Sequence, residues 1–135
     1  MTRYLTDTNI LVRFLTGEPP AQAAAARTLF ARAVAGEILL EITAVVAAET
    51  YYTLHLFYGF ERKTAAERLS LLLQQRGVRI RDGEHVLAAL ERLQTANVGF
   101  ADALLAATAN EEKLAVASFD RDFDKLGVTR FEPSP

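Results

Sequence analysis

The hydrophobic positions of this chain fall into short runs and into longer stretches with a period near 3.6, which mark strands and helices respectively. Arg3-Tyr4-Leu5-Thr6 predicts a short strand and Ile38-Leu39-Leu40-Glu41-Ile42 a buried one. Val78-Arg79-Ile80 predicts an alternating strand and Leu114-Ala115-Val116-Ala117-Ser118 a small apolar one, with Val128-Thr129-Arg130 as a candidate last strand. Between them the pattern turns helical. Asp7-Thr8-Asn9 supplies N-cap chemistry for a short helix over Ile10 to Leu15, stopped by Gly17 and Pro19-Pro20. Ala21 to Ala35 is amphipathic, with Leu29, Phe30 and Val34 on one side, and ends at Gly36. A helix from Ala44 to about Tyr58 follows, capped by Thr43 and ended by Gly59. Glu61 to Gln75 turns Leu69, Leu72 and Leu73 inward and stops at Gly77. Beyond a turn and cap at Asp82-Gly83, Glu84 to Ala96 sets Val86, Leu87, Leu90 and Leu93 at helical spacing. Phe100 to Ala109 is almost wholly alanine and leucine, both strong helix formers.

Strands that alternate with helices imply a three-layer α/β sandwich around a mainly parallel central sheet. The whole chain, residues 1–135, reads as one domain, with no repeat and no linker.

Two helices carry a carboxylate where the pattern asks for an apolar side chain. Asp102 shares its face with Leu105, Ala106 and Ala109 in a helix that should be buried all round. Glu49 has Val45 and Val46 behind it and Tyr52, Thr53 and Leu56 ahead of it. A charge on a buried stripe is costly unless it is paired, protonated or bound to a metal. No Lys or Arg lies within four residues of Asp102. In parallel sheets ligands bind at the carboxyl ends of the strands. Asp7 directly follows the first strand and Asp120 the Leu114–Ser118 strand. If those strands are neighbours, both acids enter one crevice, and Asp102 and Glu49, near helix N-termini, lie over the same edge.

Composition narrows what such a cluster can do. There is no cysteine and only two histidines, His55 and His85, which removes thiolate and histidine-rich metal sites. All-oxygen ligation suits a hard cation, Mg²⁺ or Mn²⁺. Such ions activate water and neutralise phosphate charge, so the chemistry suggested is metal-dependent phosphodiester hydrolysis. The formal net charge of −2 argues against a broadly basic nucleic-acid binder but not against a local grip on a short piece of nucleic acid. The N-terminus has no long apolar signal segment and no run approaches the ~20 residues that span a bilayer. A soluble cytoplasmic protein, with no membrane partner, is the expectation.

Asp7-Thr8-Asn9 after a first strand, Glu49 in a helix, the run Asp102 to Ala109, and Ser118-Phe119-Asp120-Arg121-Asp122-Phe123 together resemble the PIN-domain ribonucleases. The VapC-type toxins of bacterial toxin–antitoxin pairs match best. The resemblance covers the whole chain in length and motif order. It implies an acidic metal site at Asp7, Glu49, Asp102 and Asp120, with Asn9 and Ser118 as supporting polar positions. Ser118 stands where the family often has threonine, which keeps the hydroxyl. Also implied are RNA cleavage, a homodimer, and inhibition by a small antitoxin that inserts a segment into the groove.

Each residue also has a plainer role. Asp7 serves equally as a helix cap, and Glu49 is exposed if its helix turns its alanines inward. Asp120 and Asp122 are not separable by pattern; Asp120 is nearer the strand end, Asp122 stands as its support, and Asp124 reads as solvated. Arg76, Arg79 and Arg81 read as a solvated face before they read as RNA contacts. Two other enzyme or signalling classes gather acids at strand ends. A phosphohydrolase of the haloacid dehalogenase type would use Asp7 as nucleophile, but Asn9 replaces its second Asp and Lys63, Lys113 and Lys125 are not placed for its lysine. A receiver-like module lacks its lysine beside Ser118. A PIN fold kept only for binding is a further alternative.

Overall fold

A computed structural model of the chain describes every residue except Asp82, so the cap expected there lies outside the described residues. Strand β1 (Thr2–Leu5) leads into helix α1 (Thr8–Thr16) and helix α2 (Pro20–Val34). Strand β2 (Ile38–Thr43) runs into helix α3 (Ala44–Tyr52), which continues as a π-helical turn over Thr53–Phe57. Helix α4 (Arg62–Leu73), strand β3 (Val78–Arg81), helix α5 (Val86–Leu93) and helix α6 (Phe100–Glu112) follow. Strand β4 (Val116–Ala117), a 3₁₀ helix (Arg121–Leu126) and strand β5 (Arg130–Phe131) complete the chain.

The fold is an α/β sandwich with a parallel sheet flanked by helices. The sheet has the order β1-β2-β3, and every pairing in it is parallel. Connections between such strands need a crossover, and helices supply it here, as the alternation of periods predicts. Leu5 pairs with Glu41, which pairs with Arg79, and Thr43 pairs with Arg81. Ile38, Leu40 and Ile42 therefore share one face of β2, and all three are buried. They join Leu11, Phe30, Leu69, Leu72, Leu90 and Phe100 in a continuous core that reaches Phe123 and Leu126.

The conditional expectation that β1 and β4 are neighbours is not met. β4 pairs in parallel with β5 in a separate two-stranded sheet, Val116 opposite Arg130 and Ala117 opposite Phe131. The Leu114–Ser118 run holds only two ladder residues, because Leu114 and Ala115 are exposed and have no partner strand to bury them.

Two helical faces also differ from the pattern. On α2 the buried residues are Ala23, Ala26, Phe30 and Ala33, while Val34 is exposed. On α3 the helix turns Ala47, Thr50 and Tyr51 inward, so Val45 and Glu49 face out. The close approach of the chain end of α4 to α2 explains the small residue at Ala33. Gly77 has φ +82°, and a side chain there would run into the Ala33 carbonyl. Among the described residues no helix is long and apolar enough to cross a membrane.

Candidate active site

Asp7 lies two residues past β1 with extended backbone, and its Oδ1 accepts a hydrogen bond from the Thr8 amide at 2.8 Å. It is thus the N-cap of α1, and the residue is exposed. The next residue reaches across to another element. The Thr8 hydroxyl donates to Glu49 Oε2 at 2.8 Å, which fixes the first turn of α1 against the outer face of α3. Glu49 is exposed, so the expectation of a carboxylate sunk in an apolar stripe is corrected. The stripe itself is outside, with Val45 66% and Leu56 74% exposed.

Asp102 lies in the first turn of α6, where the helix dipole favours an anion. It is half-buried rather than enclosed, since Leu105 beside it is 52% exposed and the buried face is Ala103, Ala106, Ala107 and Ala109. Burial first, and then the Asp120 and Asp122 carboxylates, push the Asp102 carboxyl above its ordinary range. Helix α6 packs against the 3₁₀ helix that carries Asp122 and is capped by Asp120.

Ser118 shapes the Asp120 loop. Its hydroxyl oxygen accepts from the Asp120 amide at 2.9 Å, and Asp120 Oδ1 accepts from the Asp122 amide at 2.8 Å as the cap of the 3₁₀ helix. Arg130 ties the same loop from below. It donates to the Ser118 carbonyl at 3.2 Å and pairs with Asp124 at 3.0 Å, so Asp124 is bonded rather than merely solvated. Asp122 faces Lys125 at 3.5 Å, an exposed contact worth little. Asn9 is exposed in the first turn of α1 and borders a groove with Arg13 and Gln22.

The acids therefore form two groups, Asp7 with Glu49 through Thr8, and Asp102 with Asp120 and Asp122. Among the described residues, no group of three or more His, Asp or Glu side chains is placed to hold one metal ion. One hydrogen bond joins the elements that carry them. The Tyr52 hydroxyl accepts from the Phe100 amide at 2.9 Å. Phe100 opens α6, so its N–H is among the amides that the helix itself leaves unpaired. Glu49 stands one turn before Tyr52 and Asp102 two residues after Phe100, so the two groups flank this contact. Tyr52, Thr8 and Arg130 were not singled out by the sequence. Tyr52 could have been, since it follows Glu49 at i+3 and must share its face.

The donor chemistry is all oxygen and suits a hard divalent cation. A match to the PIN domain covers residues 4–128, nearly the full length, and includes every one of these acids. The chain belongs to the PIN domain family. PIN domains are generally metal-dependent nucleases and typically use divalent ions such as Mg²⁺. This membership sets aside the haloacid dehalogenase and receiver classes. No curated protein matches the chain.

Proposed function

We propose that this PIN protein is an endoribonuclease that hydrolyses RNA phosphodiester bonds with Mg²⁺ or Mn²⁺ held by Asp7, Glu49, Asp102 and Asp120. The observation that carries this is the PIN match over residues 4–128, with Asp102 half-buried in the first turn of α6 and its carboxyl raised by burial first and then by Asp120 and Asp122. Like charges crowd in this way at a cost, and a bound cation is what turns the cost into a gain. Bound there, a divalent ion supplies charge neutralisation at the phosphate and an activated water. The chain's own residues do the positioning. Thr8 holds one oxygen of Glu49 and leaves the other free. The cap bond of Asp120 uses one oxygen and leaves the second for a ligand role. Ser118 fixes the loop that presents Asp120. Asp122 serves as support at the same loop, and Asn9 as a further supporting polar position beside Asp7 in α1.

The narrower role, the toxin of a type II toxin–antitoxin pair, rests on the likeness of the four motifs to the VapC-type toxins. It brings with it a homodimer, a cognate antitoxin and a cytoplasmic setting. A short upstream reading frame for a small DNA-binding protein would support it.

The test is cleavage of a panel of structured RNAs with Mg²⁺ or Mn²⁺, with EDTA, and with Asp102→Asn. That substitution keeps size and removes the charge. Cleavage that needs metal and falls by about 10²-fold or more in the variant is the expected result. Metal-dependent cleavage that survives unchanged in the variant would remove Asp102 from the site.

A further inference from the structure

The sheet carries a second chemical feature, on the face opposite the buried Ile38, Leu40 and Ile42. Side chains alternate along a strand, and the register brings Arg3 of β1, Glu41 of β2, and Arg79 and Arg81 of β3 to that one face. The arginines come from the two outer strands of the three and are all exposed, and with Glu41 and Ile80 they line a polar cleft of about 170 Å³. Arg3 grips Glu41 with two parallel bonds, Nε to Oε2 and Nη2 to Oε1, both 2.9 Å. Glu41 is only 4% exposed, so it serves as a fixed anchor that aims the guanidinium outward. Arginine has five donors and this pairing uses two. Among the described residues, neither Arg79 nor Arg81 forms an ion pair. Among the described residues that line this cleft, three positive side chains stand against one negative, on a chain whose formal net charge is −2. Glu84 and His85 border the patch beyond Arg79.

Its place in the fold matters as much as its charge. Arg81 is two residues past Arg79, as Asp7 is two past Leu5, and Leu5, Glu41 and Arg79 are level across the sheet. Thr6 still bonds β2, its amide donating to the Glu41 carbonyl at 2.9 Å, so this register holds to the end of β1. The carboxyl ends of β1 and β3 thus lie at one edge of the sheet, two strand spacings (~10 Å) apart, and Asp7 follows β1 there.

We propose that Arg3, Arg79 and Arg81 form a phosphate-binding strip that holds the stretch of RNA beside the cut. The strip rests on the nuclease function proposed above and solves its electrostatic problem. The acids repel a polyanion, and a basic strip one or two phosphates away supplies the grip that they cannot. Guanidinium forks match phosphate oxygens, and such contacts are indifferent to base sequence. An acidic protein segment is the other occupant that the charge allows. The nearness of the strip to Asp7 favours RNA.

The test is fluorescence anisotropy of the purified protein with a labelled single-stranded RNA of mixed sequence, in EDTA, over a salt series. The double variant Arg79→Ala/Arg81→Ala is compared with wild type and with Arg27→Ala/Lys63→Ala, which removes equal charge elsewhere. The expected result is an affinity loss of about tenfold or more and a log–log salt slope smaller by ~1.4, two phosphate contacts at ~0.7 each. Arg79→Lys/Arg81→Lys, which keeps the charge, should restore most of the slope. Equal loss in the control pair, or wild-type affinity and slope in the double variant, would overturn the strip. A twelve-residue polyglutamate that displaces the RNA at equal concentration would overturn RNA as its occupant. Adding Mn²⁺ to the same RNA separates the two proposals. Cleavage by wild type with binding unaffected in the double variant refutes the strip alone. Arginine-dependent binding without cleavage refutes the nuclease alone.

Discussion

At the residue scale, the side chains that arrange this molecule are the ones that bond between elements. Tyr52 is the clearest. Its hydroxyl satisfies the Phe100 amide at the start of α6, and Tyr52→Phe leaves that donor without its partner. A stability loss of about 0.5–1.5 kcal/mol is expected, measured by urea denaturation. Thr8→Val removes the bond that holds Glu49 and should leave the fold intact. Partners of metal-binding side chains commonly contribute 10–100-fold to affinity, and a Mn²⁺ titration should show a loss of about that size. Glu41 supplies the pH prediction. Its hydrogen bonds from Arg3 hold its carboxyl below the ordinary value of 4.5, against the opposing effect of burial. A lowered folded pKa means stability that is present above the ordinary value and lost as pH falls through the folded one. The melting temperature of wild type should therefore exceed that of Glu41→Gln near neutrality, and the gap should close on acidification below pH 4.5. A gap that stays constant down to the acid limit would contradict the pairing. Asp102 and Glu49 were legible because each interrupts an otherwise apolar pattern, and Asp7 and Asp120 because each follows a strand. Of the hydroxyl partners, Ser118 was legible through the family resemblance, while Thr8 and Tyr52 were not, since threonine and tyrosine carry no such conflict with their surroundings.

At the element scale, periodicity located the helices and strands but not always their faces. On α3 the sequence offers two apolar sides, one of valines and leucines and one of alanine, threonine and tyrosine. The second is buried because Tyr51 reaches the aromatic ring of Phe100, with centroids 6.0 Å apart, and Leu54 continues the same side. Bulk alone would have chosen the other. The helix then widens into a π turn at Thr53–Phe57, where His55 Nδ1 meets the Phe60 carbonyl at 2.7 Å and closes the chain toward α4. The α2 face was misread at Val34 for a related reason. Ala33 is fully buried, and the backbone at Gly77 comes so near it that a Cβ at Gly77 would meet the Ala33 carbonyl. Gly77→Ala meets both a positive φ and the Ala33 carbonyl, and should destabilise by about 1–3 kcal/mol or more, read from the denaturation midpoint. Thr43→Ala, which removes the cap bond to the Val46 amide, should cost about 1 kcal/mol.

At the scale of the whole molecule, the class of fold follows from alternating periods, while the neighbour relations of the strands do not. Which strand lies beside which depends on the side chains that fill the space between layers, and a two-residue strand such as β4 has too little pattern to specify a partner. That is why the pattern left open whether β1 and β4 are neighbours, and β4 pairs with β5 instead. The same long-range pairing brings Arg3 to the face that carries Arg79 and Arg81, a grouping that no local window contains. Family membership and burial meet at Asp102, half-buried in the first turn of α6, whose carboxyl is raised by burial first and then by Asp120 and Asp122. The central claim is that acids from both clusters act on a single cation. Titration calorimetry of Mn²⁺ into wild type, Asp7→Asn and Asp102→Asn tests it. The expected result is one binding event in wild type, weakened by about tenfold or more in each variant. Binding by Asp7→Asn that is indistinguishable from wild type, with loss only in Asp102→Asn, would place the cation on the second cluster alone and contradict the shared site.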